Sequence, residues 1–190
     1  MVSQFVSSHK VRLLGYLDFD FPEGTHAIGR LDNHSEGLLL LTTNKSITKL
    51  LFESKVPHKR TYLVKVRRIV SPETLQQLQL GVSIIIKGGN VYITPPCDVQ
   101  IVQPPIDLFK GGANQRLDLP STWLSITLTE GKYHQVRKMV AAVSHQCVRL
   151  IRTSIEDLTL GNLQAGEVRE VDEAYFFRQL NIDNAVNEAK

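Results

Sequence analysis

The spacing of apolar residues predicts a strand and a helix in the first third of the chain. Residues 38–43 hold four consecutive leucines between a glycine and a polar turn, which is typical of a buried strand. Asn44 can cap a helix that continues to about residue 53, because apolar residues recur there at helical spacing. Residues 61–67 form the next predicted strand.

Turn signals delimit the elements that follow. Ser71 can cap a helix, Pro72 suits its first position and Gly81 suits the residue after its last turn. Residues 82–86 and 91–94 are then predicted to pair as a hairpin around a polar loop that contains two glycines.

The second half of the chain begins with a polar segment and continues with further strands. Residues 103–121 are rich in proline, glycine and polar residues, which predicts a long connector or a mobile loop that contacts substrate. Residues 123–129 alternate as a strand does, and residues 132–143 have the apolar stripe of an amphipathic helix. The remaining predicted elements are strands at 147–152, 155–160 and 167–171 and a final helix capped by Asp172.

These elements indicate an α+β fold. Strands and helices interleave without a strict βα repeat, and hairpins join several strands, so a mixed, largely antiparallel sheet with flanking helices is predicted. The 190 residues, 42% of them hydrophobic, suffice for one substantial domain or two small lobes with a shared core. No apolar run of membrane-spanning length or signal-peptide core occurs, so we expect a cytoplasmic protein, and we expect it to be a monomer.

The cysteines and histidines do not have the spacing of a metal site. Cys97 and Cys147 stand alone, which predicts reduced and partly buried thiols. No two histidines lie four residues apart as helical metal ligands do. We therefore expect no metal and no other cofactor.

Charge is unevenly distributed although the net charge is only +3. Residues 54–72 and 131–155 contain eleven of the 22 basic residues and no acidic residue, whereas the rest of the chain has 11 basic and 19 acidic residues. Such polarisation is typical of a protein that binds a polyanion. The alternative for each stretch is an ordinary solvated face.

The candidate for chemistry is Asp32, in a loop directly before the leucine-rich strand. Residues 29–32 read GRLD, and a guanidinium close to a carboxylate favours its ionised form. An ionised aspartate can act as a nucleophile. The alternative is that Asp32 and Asn33 form a turn in which their side chains bond the local backbone.

Three blocks in order give this chain a resemblance to a known family. Residues 29–44 (GRLDNHSEGLLLLTTN), 59–66 (KRTYLVKV) and 130–139 (EGKYHQVRKM) resemble the catalytic-aspartate, tyrosine and basic-helix motifs of RNA pseudouridine synthases, in the branch that modifies ribosomal RNA. The similarity extends from about residue 2 to residue 171. It implies a two-lobed sheet with a central catalytic cleft, and a single catalytic domain over residues 1–190 without the small RNA-binding domain that precedes many relatives.

The resemblance also implies roles for three residues. Asp32 would be the catalytic carboxylate, Tyr62 would stack on the target uracil and could move a proton, and Arg137 would pair with Asp32. Tyr62 could instead be a core tyrosine at the end of its strand, and Arg137 could be a phosphate contact or a solvated surface residue. The family's reaction needs no metal, nucleotide or redox carrier.

Further residues are candidates for binding RNA. Leu150 matches the family's apolar position near the base, although it could equally be ordinary strand core. Arg30 would orient the loop or the RNA. The remaining candidates, predicted as phosphate contacts, are Lys59, Arg60, Lys138, Arg149 and Arg152.

The function expected from the sequence is therefore isomerisation of a specific uridine to pseudouridine in 23S ribosomal RNA. One alternative keeps the enzyme and changes the substrate to transfer RNA. The other is a non-catalytic RNA-binding module of ribosome assembly, against which the joint presence of Asp32, Tyr62 and Arg137 argues.

Overall fold

The computed structural model describes residues 1–52, 57–103 and 119–182, so most of the predicted connector at 103–121 lies outside the described residues. After a short 3-10 helix at Leu14–Tyr16, ten strands and four helices follow in these ranges. The strands are β1 (His26–Ile28), β2 (Glu36–Gly37), β3 (Leu40–Thr42), β4 (Arg60–Arg67), β5 (Ser83–Ile85), β6 (Val91–Ile93), β7 (Asp98–Val102), β8 (Ser121–Leu128), β9 (Cys147–Ile155) and β10 (Leu158–Thr159). The helices are α1 (Ile47–Phe52), α2 (Pro72–Leu80), α3 (Gln135–Ala142) and α4 (Glu173–Gln179).

A central sheet holds the fold together. Its strand order is β10-β9-β4-β8-β7, with every neighbouring pair antiparallel, and β2 adds to β9 as a parallel strand. Two small antiparallel pairs, β1 with β3 and β5 with β6, lie outside it. The predicted α+β class with a largely antiparallel sheet is confirmed.

Both faces of the central sheet are buried. Along β4, Val64 and Val66 belong to one hydrophobic cluster, which includes residues of α2 and α3, and Leu63 belongs to a second cluster, which includes residues of α1 and α4. Successive side chains of a strand point to opposite faces, so one strand contributes to both clusters. Burial of each large apolar side chain stabilises the fold by about 1.5–3 kcal/mol.

The predicted helix caps at Ser71 and Asp172 are confirmed. The Ser71 hydroxyl accepts a hydrogen bond from the Thr74 amide at 3.2 Å, and the Asp172 carboxylate accepts one from the Tyr175 amide at 2.7 Å. Helix α3 begins three residues later than predicted, because His134 has left-handed backbone angles with φ of 56° and cannot belong to the helix.

The strand predictions near the carboxyl terminus need correction. Residues 147–155 form one continuous strand, and a turn with Glu156 at φ of 48° leads into the short β10, so the predicted strand at 155–160 is wrong. The predicted strand at 167–171 is also wrong, because these residues pair with no strand in the described structure. The pattern also missed β1, β2 and β7, which are two to five residues long.

Strand β2 packs so closely against β9 that only glycine fits at one position. A Cβ atom on Gly37 would lie 2.3 Å from the carbonyl oxygen and 2.8 Å from the amide nitrogen of Arg152. Gly37 also has φ of 101°, which L-residues with side chains rarely adopt. The glycine is therefore required twice, for backbone conformation and for contact distance.

We predict that Gly37→Ala destabilises the protein by more than about 3 kcal/mol, because strain at positive φ alone costs about 1–3 kcal/mol and the contact with rigid backbone adds to it. Gly89→Ala is the matched control, since Gly89 has φ of 81° and open space around its Cβ position. Denaturant unfolding of both variants measures the difference. Equal losses of stability would contradict the close packing of β2 on β9.

Candidate active site

Asp32 lies in the loop between β1 and β2, and hydrogen bonds hold this loop on both sides of Asp32. The Ser3 hydroxyl accepts a hydrogen bond from the Leu31 amide at 3.0 Å. On the other side, the Ser35 amide donates to the Asp32 carbonyl at 2.8 Å and closes a turn. The Asp32 side chain is 32% exposed, so a rigid loop presents a carboxylate that solvent can reach.

A histidine that the sequence did not single out lies beside Asp32. His134 Nε2 lies 3.6 Å from Asp32 Oδ1, and its side chain is 34% exposed. The Tyr133 ring stacks on the His134 imidazole with a centroid distance of 3.9 Å. Lys138 Nζ lies 5.4 Å from the Tyr133 ring centroid. The sequence offers one signal for His134, which is that it belongs to the same motif as Arg137.

Arg137 reaches the same turn but a different group. Its guanidinium donates a hydrogen bond to the His34 carbonyl, and the described residues contain no ion pair between Arg137 and Asp32. The implied pairing of these two side chains is therefore not formed in this structure. Both side chains nevertheless line one cavity of about 1230 Å³.

Tyr62 lies on β4 in the middle of the central sheet, half-buried between Ile126 of β8 and Arg152 of β9. The β4–β9 pairing shifts between Thr61 and Tyr62, so Thr153 of β9 has no direct partner in β4. Such a bulge redirects side chains and is common beside active sites. Here it places the Arg152 side chain next to Tyr62 on one face.

Arg152 connects Tyr62 with the segment that follows the Asp32 loop. Arg152 is 4% exposed, and its Nε donates to the Leu38 carbonyl at 2.8 Å. Burial lowers the pKa of Arg152, and the neighbouring Tyr62 and the charge of Asp32 oppose this shift only in part. Arg152 therefore contacts the segment after the Asp32 loop through Leu38 and lies opposite Tyr62 across the β4–β9 pairing.

Arg149 forms a two-point ion pair. Its Nε lies 3.0 Å from Glu36 Oε1 and its Nη2 lies 2.9 Å from Glu36 Oε2, and the arginine is only 6% exposed. Arg149 and Arg152 were predicted to contact phosphates. Because both are buried and bonded to protein groups, neither belongs to an exposed phosphate-binding surface in this structure.

The other predicted RNA-binding residues differ in exposure. Arg30 and Lys59 are exposed, and Lys138 is half-buried. Arg60 is also half-buried and donates to the Thr129 carbonyl at 3.2 Å. Leu150 is buried in the cluster that contains α3.

Neither a metal cluster nor a membrane helix occurs in the part of the chain that the structure describes. Within it, no three His, Cys, Asp or Glu side chains are grouped as metal ligands, and no helix has the length and apolar character to cross a membrane. Of the described thiols, Cys97 has its pKa raised to about 11, chiefly by burial.

Together, the site combines a reachable carboxylate, a neighbouring imidazole, an arginine held at the same turn and a tyrosine beside a buried cation. This set suits covalent or acid–base chemistry. The sequence model of the RNA pseudouridylate synthase family matches residues 16–142, which include Asp32, Tyr62 and Arg137. The chain belongs to this family of isomerases.

Individual relatives agree with the family. The chain is 34% identical over 90% of its length to ribosomal large subunit pseudouridine synthase E of Vibrio parahaemolyticus, covering 69% of that protein. The protein of the same name from Xanthomonas axonopodis is 33% identical over 86% of this chain and 84% of its own. A crystal structure of a pseudouridylate synthase superposes with a TM-score of 0.68 at 27% identity, over 85% of this chain and 63% of that one.

We predict that Arg149→Glu lowers the free energy of unfolding by about 3–5 kcal/mol, because it leaves Glu36 facing a second carboxylate in place of its partner. The charge swap Glu36→Arg with Arg149→Glu is expected to recover part of this loss. Denaturant unfolding provides the measurement. If Arg149→Glu is as stable as the parent, the ion pair does not fasten β2 to β9.

Lys59→Glu is expected to behave differently, because Lys59 is exposed. The variant should fold with stability within about 0.5 kcal/mol of the parent. Its affinity for RNA should fall, with the slope of log K against log salt reduced by about one, as loss of one phosphate contact requires. An unchanged salt slope would remove Lys59 from the RNA-binding surface.

Proposed function

We propose that this chain converts a uridine of large-subunit ribosomal RNA to pseudouridine, with Asp32 as the catalytic carboxylate. The single observation that carries the proposal is the position of Asp32, on a fastened loop of the family-matched region and a third exposed. Two relatives named for this subunit, each at least 33% identical, support the substrate class. In this proposal residues 1–190 act as one catalytic domain, monomeric and cytoplasmic.

The reaction breaks the bond between uracil N1 and ribose C1′ and forms a bond between uracil C5 and C1′. Asp32 can attack C1′ as the base leaves with the bonding electron pair, or assist departure of the base while a proton is lost from C2′. Either route passes through positive charge at an anomeric carbon, which a nearby carboxylate stabilises. After the base rotates and rejoins through C5, the C5 proton must be removed.

Tyr62 is the proposed platform and proton-moving group. A uridine in folded RNA must leave its stack before a protein carboxylate can reach its sugar, and an aromatic ring can hold the displaced base. The half-buried phenol of Tyr62 lies beside Arg152. This placement supports a fixed orientation for both ring and hydroxyl.

The remaining candidate residues have separate proposed roles in holding the loop, the base and the RNA backbone. Arg137 orients the turn of the catalytic loop by holding the His34 carbonyl. Leu150 completes the apolar surroundings of the base, and the cations that bind the RNA backbone are Arg30, Lys59, Arg60 and Lys138.

We predict that Asp32→Asn abolishes turnover while RNA binding persists, because the change removes the charge and nearly preserves the shape. Tyr62→Phe should still bind substrate but react more slowly, because it lacks the hydroxyl. Arg137→Lys should also react more slowly, because lysine lacks the planar guanidinium that can form two hydrogen bonds at once. Single-turnover tritium release from C5-labelled uridine in RNA, beside a binding assay, measures these effects. Asp20→Asn, at an exposed aspartate outside the site, is the control.

Normal tritium release by folded Asp32→Asn would overturn the mechanism. The substrate class needs its own test, which is mapping of pseudouridine in ribosomal and transfer RNA from cells with and without this protein. Loss of a large-subunit site supports the proposal. Loss confined to transfer RNA would replace the substrate, and tight RNA binding without any pseudouridine formation would favour a non-catalytic role in ribosome assembly.

A further inference from the structure

Arg152, like Arg149, is a predicted phosphate contact whose surroundings point to a different role. It is 4% exposed, yet its terminal nitrogen Nη2 is buried without a hydrogen-bond partner. Burying a charged group is costly, and buried donors are nearly always paired. A cation retained under these conditions requires a reason beyond packing, since an apolar side chain would fill the same volume at lower cost.

The backbone around Arg152 is fixed from two sides. On one side, the Leu38 amide donates to the Arg152 carbonyl at 2.8 Å and the Arg152 Nε donates back to the Leu38 carbonyl at 2.8 Å. On the other side, Arg152 is the direct cross-strand partner of Tyr62. Directly opposed residues of antiparallel strands have Cβ atoms about 4.5–5.5 Å apart and share a face.

The bulge at Thr153 makes this arrangement specific. Below the bulge, Thr61 pairs with Ser154, and above it Tyr62 pairs with Arg152. Without the extra residue, regular pairing would place Thr153 opposite Tyr62. The irregularity therefore brings the guanidinium, rather than a hydroxyl, beside the phenol.

We propose that Arg152 is a positioning residue that ties the Tyr62 side chain to the segment following the Asp32 loop. This inference rests on the proposed function, and it assigns Arg152 an action through Tyr62 instead of a contact with RNA phosphate. The Arg152 side chain donates to the Leu38 carbonyl, and the residue lies directly opposite Tyr62 in the β4–β9 pairing. It thus keeps the two groups that the reaction needs in a fixed relation.

The first test is Arg152→Lys, which keeps a buried charge and removes the planar fork that can serve two partners at once. The single-turnover rate should fall at least roughly tenfold, whereas the dissociation constant for RNA should change less than about twofold. Ile155→Val on the same strand is the control, because it mildly destabilises the core without altering charge. A phosphate contact would show the opposite split, with affinity lost and rate kept, and would overturn the proposal.

The decisive measurement is a double-mutant cycle with Tyr62→Phe. If Arg152 acts through the Tyr62 hydroxyl, Arg152→Lys should cost much less rate in the Tyr62→Phe background than in the parent. Ile155→Val should have the same effect in both backgrounds. Additive losses from Arg152→Lys and Tyr62→Phe would overturn the proposal.

Two further arms keep the outcome interpretable. If Arg152→Lys does not fold by circular dichroism, Arg152→Gln enters the same cycle, since its amide still donates a hydrogen bond. The parent and Asp32→Asn are measured in parallel. An inactive parent, or an active Asp32→Asn, counts against the proposed function. If the parent is active and the losses from Arg152→Lys and Tyr62→Phe are additive, only the role of Arg152 is contradicted.

Discussion

The parallel contact between residues 36–38 and strand β9 is the constraint on which the site depends. It consists of the two hydrogen bonds between Leu38 and Arg152, the two-point ion pair between Glu36 and Arg149, and the close approach at Gly37. Two residues of parallel pairing form a weak unit alone, but the two-point ion pair of buried Arg149 and the hydrogen bond from the Arg152 side chain fix their register. The Asp32 loop enters this contact and takes its position from it.

Strand β9 is also the partner of β4, so it positions Tyr62 as well as Asp32. It lies between β4 and β10 in the central sheet, and β2 adds to it as a parallel strand. Both candidate catalytic groups are thus positioned relative to one strand, and a register shift in β9 would move them together. This explains why two arginines of this strand are buried rather than exposed: their guanidinium groups connect β9 to the loop segment.

Sequence reasoning found the features whose causes are local. The caps at Ser71 and Asp172, the strand around Tyr62 and the loop of Asp32 each depend on residues within a few positions of one another. The Glu36 contact of Arg149 and the Leu38 contact of Arg152 join residues more than 110 positions apart in the chain. An acid-free basic stretch therefore suggested a surface, because the acid that compensates Arg149 is supplied by another part of the fold. The tyrosine, aspartate and arginine assignments stay predictions.

The turn that carries Asp32 is held from its other side by helix α3. Arg137 of α3 donates a hydrogen bond to the His34 carbonyl, and His134, which directly precedes the helix, reaches Asp32. Val136, Met139 and Val140 fix the opposite face of α3 in the same cluster as Leu150 of β9. Helix α3 and strand β9 both contact the Asp32 loop and pack into the same hydrophobic cluster. Packing within that cluster therefore determines the position of the Asp32 carboxylate. A cavity opened beneath α3 should alter the site without touching any residue that contacts RNA.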